Sequence, residues 1–453
     1  MSAQNHSINM TNGSIVKNVI RFVVPLILGN ILQLLYNAAD IIVVSRWAGS
    51  RAMASVGATS TINSLIVNLC IGLSVGSSVV VSRCFGAKDE EGIKRSIHST
   101  MLLGIVSGII TMIIGLFVAK PLLMLLGTPA GDVFEGALLY MRIYFAAAVA
   151  TMVYNFGASV LRAQGDTKRP LYILSAAGIV NVVLNLIFVI KFQMGVAGVA
   201  VATAVASVLS AASVLVILTR QTGAGKLYIR KMRFYKKELT ESLKIGIPAG
   251  IQSSVFSIAN AAIQSAVNSF GTAAIAGSAA SSNIEGFVYT AMNAFYQATL
   301  TSVSQNYGAK DEKRVYRSIK VCILSVAVVG GVLGSLTCVF ARQLMSIYIT
   351  DSPQAIEFGL IKTFYVGLPY FLCGIMEVLA GALRGIGHSN IGMFNSLLGA
   401  CGVRLLWVAF ILPLNHTPQT LFICWPISWV IVIVMHLVSF KLVRKKSILL
   451  MMR

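Results

Sequence analysis

The sequence predicts an all-α integral membrane protein with twelve transmembrane helices, arranged as two six-helix lobes related by a pseudo-twofold axis along the membrane normal. Two observations predict this fold class. The 453 residues are 56% hydrophobic and only 11% charged, with a mean hydropathy of +0.81, far from the balance of a soluble domain. In addition, the segment FGAKDEEGIKRSI, from Phe85 to Ile97, returns as YGAKDEKRVYRSI, from Tyr307 to Ile319, with eight of thirteen positions identical at an offset of 222 residues.

A second pair of segments keeps the same offset. VLRAQGDTKRP around Arg162 aligns with ALRGIGHSNIG around Arg384. Because the repeated blocks lie in a very apolar background, they indicate a tandem duplication of a membrane-embedded half. We expect an N-lobe at residues 1–222 with spans one to six and a C-lobe at residues 223–453 with spans seven to twelve.

The individual spans follow from windows of about 20 apolar residues, the length of helix that crosses about 30 Å of hydrocarbon. Six spans per half return the chain to its starting side, so the two halves share one orientation. The predicted spans are 16–45, 53–81, 95–118, 137–160, 170–190, 196–219, 243–268, 274–303, 317–340, 358–383, 391–412 and 420–440.

Lys and Arg residues are unevenly distributed between the two sides. Of 36, we count 28 on the side that carries both termini and seven on the other, which predicts cytoplasmic termini. The net charge of +21 is spread over short loops that would contact membrane lipid, and this pattern argues against nucleic acid as a partner.

The sequence lacks the residue patterns that are typical of metal sites and of enzyme active sites. The five histidines are isolated, and the seven cysteines show no CxxC or Cys/His spacing, so we expect no metal and no cofactor. No nucleophile with a neighbouring base is visible, and no repeated filter segment suggests a channel. The repeated GAKD loop is open to two interpretations: Asp89 and Asp311 pair across the cytoplasmic mouth as a gate, or they cap a charge-rich helical hairpin.

Three acidic residues lie inside predicted spans: Asp40, Glu285 and Glu377. Each would cost roughly 2.5–3.5 kcal/mol if ionised at the bilayer centre, so such residues are functional candidates. Asp40 leads because the same half holds polar residues that could join it in a pocket, from which an acid could take and release a proton. These are Tyr36, placed to donate a hydrogen bond to Asp40 from one turn away, and Asn155, Asn181, Asn185 and Thr203. The alternative is an interfacial Asp40 with asparagines that only tie helices together.

Glu285 and Glu377 are candidates for substrate binding in the second half. A carboxylate in a low-dielectric cavity attracts an organic cation, and Tyr289 and Met292 could line such a cavity. Alternatively, the two glutamates pair with Arg404 or a neighbouring amide, and the aromatic residues are ordinary packing.

Several motifs occur in a recognisable order. Pro25 stands early in span one and is followed by YNAAD and WAG; the GAKD loops follow spans two and eight; LRAQGDTKRP follows span four; and NVVLN precedes GVAGVAVAT. Together they resemble the multidrug and toxic compound extrusion (MATE) transporter family, in its DinF-like bacterial branch, over essentially the whole chain. The resemblance implies a V-shaped pair of lobes that exports cationic or amphipathic compounds in exchange for H⁺ or Na⁺ by alternating access. It also implies a monomer in the bacterial plasma membrane.

By position, Asp40 matches the family's carboxylate in span one, and Tyr36, Asn155, Asn181 and Thr203 match its polar neighbours. This chain has Asn185 and Leu186 where many relatives have an aspartate and a proline, which leaves one carboxylate and favours H⁺ over Na⁺. The alternative within the superfamily is a flippase for a lipid-linked oligosaccharide, which should have a more cationic cavity than three acids and one mid-span arginine, Arg404, provide.

Overall fold

The computed structural model describes residues 7–125, 128, 131–350 and 352–452, and this part of the chain contains helices and no strand. The helices of the first half follow one another with short connections. They are α1 Ile15–Val43, α2 Gly49–Ala87, α3 Glu90–Leu125, α4 Asp132–Ala146, α5 Ala148–Ala163, α6 Lys168–Leu186 and α7 Gly195–Arg220. Wider π-helical turns, Val44–Ala48 and Ile187–Lys191, extend α1 and α6.

The second half repeats this order with more breaks. Its helices are α8 Lys236–Asn268, α9 Thr272–Gly308, α10 Glu312–Val339, α11 Ala341–Tyr348, α12 Pro353–Lys362, α13 Tyr370–Gly385, α14 Ser389–Ser396, α15 Val403–Leu406, α16 Pro418–Phe422 and α17 Cys424–Met452. π-Helical segments at Thr363–Gly367, Leu397–Gly402 and Trp407–Ile411 continue α12, α14 and α15.

Within the described residues, eight helical segments are long and apolar enough to cross a membrane: Ile15–Ala48, Ile66–Ala87, Glu90–Leu125, Lys168–Lys191, Gly195–Arg220, Glu312–Val339, Ser389–Leu414 and Pro418–Val443. Two bent pairs qualify together, α4 with α5 at 48° and Pro353–Gly367 with α13 at 42°. The last two, α8 and α9, are long enough at 33 and 37 residues but carry more polar side chains. The predicted all-α membrane fold with twelve spans is confirmed.

The repeated GAKD loops end one helix and begin the next in the same way. Lys88 and Lys310 have positive φ values of 55° and 59°, the left-handed conformation that closes a helix. Oδ1 of Asp89 then accepts from the backbone N–H of Gly92, and Oδ1 of Asp311 accepts from that of Arg314, both at 2.9 Å. Each aspartate therefore caps the following helix, which supports the capping interpretation over the gate.

The chain divides into two compact units. The first unit contains Leu28–Gly250 and the short segment before Met10, and the second contains Met10–Ile27 and the residues from Ile251 onward. The beginning of α1 therefore belongs to the second unit and the beginning of α8 to the first. The lobe boundary at residues 222 and 223 stays a proposal.

The second unit holds the segment before α1 through polar contacts. The backbone N–H of Met10 donates to Oε1 of Gln305 at 3.0 Å. Arg314 donates from Nε to the carbonyl of Met10 and from a terminal nitrogen to that of Gly13, at 3.0 and 2.9 Å. Met10 itself is buried. These contacts fix where α1 begins in the second unit.

Candidate functional site

Asp40 lies near the end of α1, in the first unit, and its side chain is half-buried. Its carboxylate accepts a hydrogen bond from the side-chain amide of Asn185, which lies on α6. Because Asn185 is 1% exposed, this contact is shielded from solvent on the side of α6. The structure thus brings together Asp40, which matches the family pattern, and Asn185, which departs from it.

A line of polar side chains leads away from the carboxylate. The Asn185 amide also donates to Oδ1 of Asn181, one helical turn earlier, at 3.3 Å. The Asn181 amide donates to the Thr203 hydroxyl on α7 at 3.4 Å, and that hydroxyl donates to the carbonyl of Val199 at 3.0 Å. Asp40, Asn185, Asn181 and Thr203 therefore form one hydrogen-bonded chain across α1, α6 and α7.

One acceptor in this chain is left over. Oδ1 of Asn185 is buried without a hydrogen-bond partner among the described residues. A buried acceptor without a partner is unfavourable by roughly 1–3 kcal/mol, so it favours any state that supplies a donor. A protonated Asp40 would supply such a donor once the Asn185 amide turned its oxygen toward the carboxyl group.

Tyr36 occupies a different place from the one expected. Its hydroxyl donates to the backbone carbonyl of Ser175 at 3.2 Å instead of to Asp40. The reason is Gly178, because a Cβ at that position would overlap the Tyr36 ring. The missing side chain opens a slot on α6 that receives the ring and directs its hydroxyl along that helix. Tyr36 thereby fixes α1 against α6 close to Asp40.

Asn155 belongs to the same unit, but its amide is used within its own helix. It donates to the carbonyl of Thr151 on α5 at 2.9 Å.

Tyr140 on α4 is a site neighbour that was not predicted from the sequence. It interacts electrostatically with Asp40 and packs on the apolar cluster of Val43, Val44 and Val189. Tyr140 and Tyr144 stack one turn apart, 6.2 Å between ring centroids, and this aromatic spacing was the available signal.

In the second unit, Glu285 has a basic partner that the sequence analysis did not consider. Its Oε2 lies 3.5 Å from the ammonium nitrogen of Lys362, and its Oε1 accepts from the Ser281 hydroxyl at 2.7 Å. Both charged side chains are buried, at 9% and 5% exposure. Lys362 lies inside the predicted span 358–383, near its start; in the structure it ends α12 and is buried.

Glu377 on α13 is half-buried and interacts electrostatically with Arg384, which lies seven residues, or about two turns, further along the same helix. Arg384 is buried and donates to the Tyr296 hydroxyl at 2.5 Å and to Oε1 of Gln252 at 2.6 Å. Arg384 therefore shares its charge between Glu377 and two neutral partners. Glu377 also interacts with Tyr289, whose side chain is 40% exposed.

In the contacts described, Arg404 pairs with neither Glu285 nor Glu377, although the sequence left such a pair open as an alternative. Its guanidinium stacks over the ring of Trp425 at 3.9 Å from the centroid and lies 5.9 Å from that of Trp429. Its Nε donates to the Ser428 hydroxyl at 2.9 Å. Aromatic faces and a hydroxyl thus stabilise this buried cation.

Met292 is fully buried. Its sulfur fills the space left by two glycines, since a Cβ on Gly330 or on Gly374 would come within 3.1 Å or less of it. This position favours helix packing over contact with a substrate. Among the described residues, no group of three or more His, Cys, Asp or Glu side chains could hold a metal ion.

The chain matches the family model described as MatE twice, at residues 25–187 and 248–409. It is 26% identical over 407 residues to the probable multidrug resistance protein YoeA of Bacillus subtilis, covering 88% of this chain and 87% of that protein. It is 22% identical to the multidrug export protein MepA of Staphylococcus saprophyticus, with coverages of 93% and 91%.

Among solved structures, a MOP superfamily transporter from Pyrococcus furiosus, whose binding pocket is described as having reverse polarity, superposes with a TM-score of 0.89 at 21% identity over the full length of both chains. The two family matches cover the two repeats that the 222-residue offset predicted. The chain belongs to the MatE family of multidrug and toxic compound extrusion transporters, and it is a membrane transporter and not an enzyme.

Proposed function

We propose that this protein is a secondary active multidrug efflux antiporter that exports cationic or amphipathic compounds in exchange for H⁺. The observation that carries the proposal is the hydrogen bond from Asn185 to Asp40. Asp40 is the one acidic member of a row of hydrogen-bonded side chains that come from three packed helices. The names of the similar proteins YoeA and MepA, which refer to multidrug resistance and multidrug export, support the substrate class.

The exchange follows from the charge on Asp40. In the ionised form, the carboxylate accepts from Asn185 and can attract a cationic substrate through the low-dielectric surroundings. In the protonated form, the attraction is lost and the carboxyl becomes a donor that suits the free Oδ1 of Asn185. Proton and substrate therefore oppose each other, either at one carboxylate or through linked sites, and both forms give antiport by alternating access.

The donor set favours H⁺ over Na⁺ as the coupling ion. Hard cations are held by several oxygen ligands, preferably with more than one charge among them. One carboxylate oxygen of Asp40 already accepts from the NH₂ group of Asn185, whose partial positive charge would repel a cation. Oδ1 of Asn181 accepts from the same NH₂ group, so this oxygen is also occupied. A proton needs only one oxygen and no cage.

For the substrate in the second unit, we propose Glu377 and Tyr289 as contacts, because Glu377 is half-buried and Tyr289 is partly exposed. Glu285 and Met292 are weaker candidates, since one is paired and the other is fully packed. We further propose that the protein acts as a monomer of the DinF-like branch in a bacterial plasma membrane, with both termini cytoplasmic.

The second candidate function is a flippase for a lipid-linked oligosaccharide, and one observation favours it. The sequence pointed to one mid-span arginine, Arg404, whereas the second unit buries at least three basic side chains: Lys362, Arg384 and Arg404. For the transporter from Pyrococcus furiosus, the reverse polarity of the binding pocket suggests a different function. Against it, each of the three cations has partners inside the unit.

The test is efflux from proteoliposomes loaded with a fluorescent organic cation, under an imposed pH gradient and, separately, under an imposed Na⁺ gradient. The antiporter predicts efflux driven by the pH gradient in the wild-type protein. Efflux of the cation with neither gradient, or movement of an anionic lipid analogue in preference to the cation, contradicts the proposal, and the second result favours the flippase.

A further inference from the structure

The α9 and α12 helices of the second unit approach each other unusually closely. A Cβ on Gly277 would come within 2.8 Å of the backbone nitrogen of Gly359, and one on Gly359 within 3.0 Å of the Gly277 carbonyl. Ser281 and Glu285 follow Gly277 at intervals of four residues and so lie on the same face of α9. Small residues bring membrane helices into backbone contact and exclude other molecules from the interface.

Lys362 enters this interface from the last position of α12. Its ammonium donates to the carbonyl of Ser278 at 3.2 Å and to the Ser282 hydroxyl at 2.5 Å, and it lies 3.5 Å from Oε2 of Glu285. A lysine ammonium has three N–H donors, and here it meets three oxygen acceptors. The ammonium is therefore saturated by oxygen ligands from a single helix.

The carboxylate is held equally well. Oε1 of Glu285 accepts from Ser281, and the Ser281 hydroxyl is 3.0 Å from that of Thr363, which directly follows Lys362. Each oxygen of Glu285 thus has its own partner. Glu285, Ser281 and Thr363 join the two helices around one positive charge.

This arrangement has the composition of a site for a small hard cation. It offers a carboxylate, a backbone carbonyl and hydroxyl oxygens, the ligand types that such ions prefer. The position of the ion is taken by the chain's own ammonium. A carboxylate buried at this depth needs a positive partner, and Lys362 supplies it permanently.

We propose that the Lys362 ammonium is the resident cation of the Glu285 carboxylate, and that it determines ion specificity by excluding Na⁺ and K⁺ from the second unit. The inference deepens the proposed antiport and rests on it, because it leaves Asp40 as the intramembrane acid without a basic partner in the contacts described. Lys362 is therefore a specificity-determining residue that acts through its ion pair with Glu285.

The experiment measures the thermal unfolding of purified protein in detergent, with NaCl, KCl or choline chloride at equal ionic strength and with no substrate or gradient. Lys362→Met removes the charge at nearly constant shape, Lys362→Arg keeps it, and the double variant Lys362→Met with Glu285→Gln also removes the carboxylate. We expect the melting temperature of Lys362→Met to rise saturably with Na⁺ relative to choline, a response that the wild type should lack. Lys362→Arg should behave like the wild type, and the double variant should lose the gain.

Two results overturn the inference: an Na⁺ response of Lys362→Met equal to that of the wild type, or a gained response that survives Glu285→Gln. If Lys362→Met fails to fold in choline chloride, Na⁺ or methylammonium present during solubilisation should restore it. Failure in all of these salts, while Lys362→Arg folds, also overturns it. Because ion binding is read without transport, failure here is distinguishable from failure of the antiport.

Discussion

The side-chain amide of Asn185 donates to the carboxylate of Asp40, across α6 and α1. The same amide donates to Asn181, so Asn185 uses its NH₂ group on two acceptors and leaves its own oxygen free. This relationship makes the proton state of Asp40 depend on a neutral neighbour, and it determines how the site responds to substitution.

Asn185→Asp should change the ion to which the site responds. Two ionised carboxylates at hydrogen-bond distance repel each other, and together they offer the charge and the oxygen ligands that Na⁺ prefers, so the variant should bind Na⁺. We expect Na⁺-gradient-driven efflux to appear in proteoliposomes. The control is Asn185→Leu, which removes the donor and adds no charge. An Asn185→Asp variant that exports under a pH gradient like the wild type and ignores Na⁺ contradicts this role for Asn185.

Gly178→Ala should force the Tyr36 ring out of its slot, because the added Cβ would overlap it. Overpacking of this kind destabilises by typically 1–3 kcal/mol, so we expect a lower melting temperature and weaker efflux. Adding Tyr36→Ala should recover part of the lost stability, since the clash disappears. Equal melting temperatures for Gly178→Ala and the wild type would show that the ring is not held there.

Asp311→Asn and Asp311→Ala separate capping from gating in the repeated loop. Asparagine retains the acceptor that caps Arg314, so Asp311→Asn should keep both efflux and stability. Asp311→Ala should lower the stability of the protein by about 1 kcal/mol and keep efflux activity. Loss of efflux in Asp311→Asn at unchanged expression would favour the gate interpretation over capping.

Arg404→Lys tests whether the stacked guanidinium holds α15 against α17. Lysine keeps the charge but lacks the planar group that lies 3.9 Å above Trp425. We expect a lower melting temperature and a changed tryptophan emission, with efflux per folded molecule retained. Unchanged emission and stability would mean that the charge alone is sufficient.

Much of the fold was readable from the sequence because membrane insertion leaves one-dimensional signals. The apolar windows gave the spans, and the 222-residue offset gave the two halves, which the two family matches reproduce at 25–187 and 248–409. The bends between α4 and α5 and before α13 were not predicted, because the hydropathy of a segment indicates how long a span is but not whether its helix axis bends.

The site was predictable where partners lie on one helix face and unpredictable where glycine decides the contact. Asn181 and Asn185, one turn apart, are linked as their spacing suggested. Tyr36 failed to reach Asp40 because Gly178 on another helix captured its ring, and no spacing within α1 reports that. Lys362 lies 77 positions from Glu285, and only the close contact of α9 with α12 brings the two together.

The central claim is that Asp40 carries the proton that is exchanged for substrate. Its most direct test is to add a transported cation to purified protein in weakly buffered detergent solution and to follow the pH, for the wild type and for Asp40→Asn. We predict that substrate releases protons from the wild type and none from Asp40→Asn, with both proteins folded by their melting curves. Equal proton release from the two proteins would contradict the account.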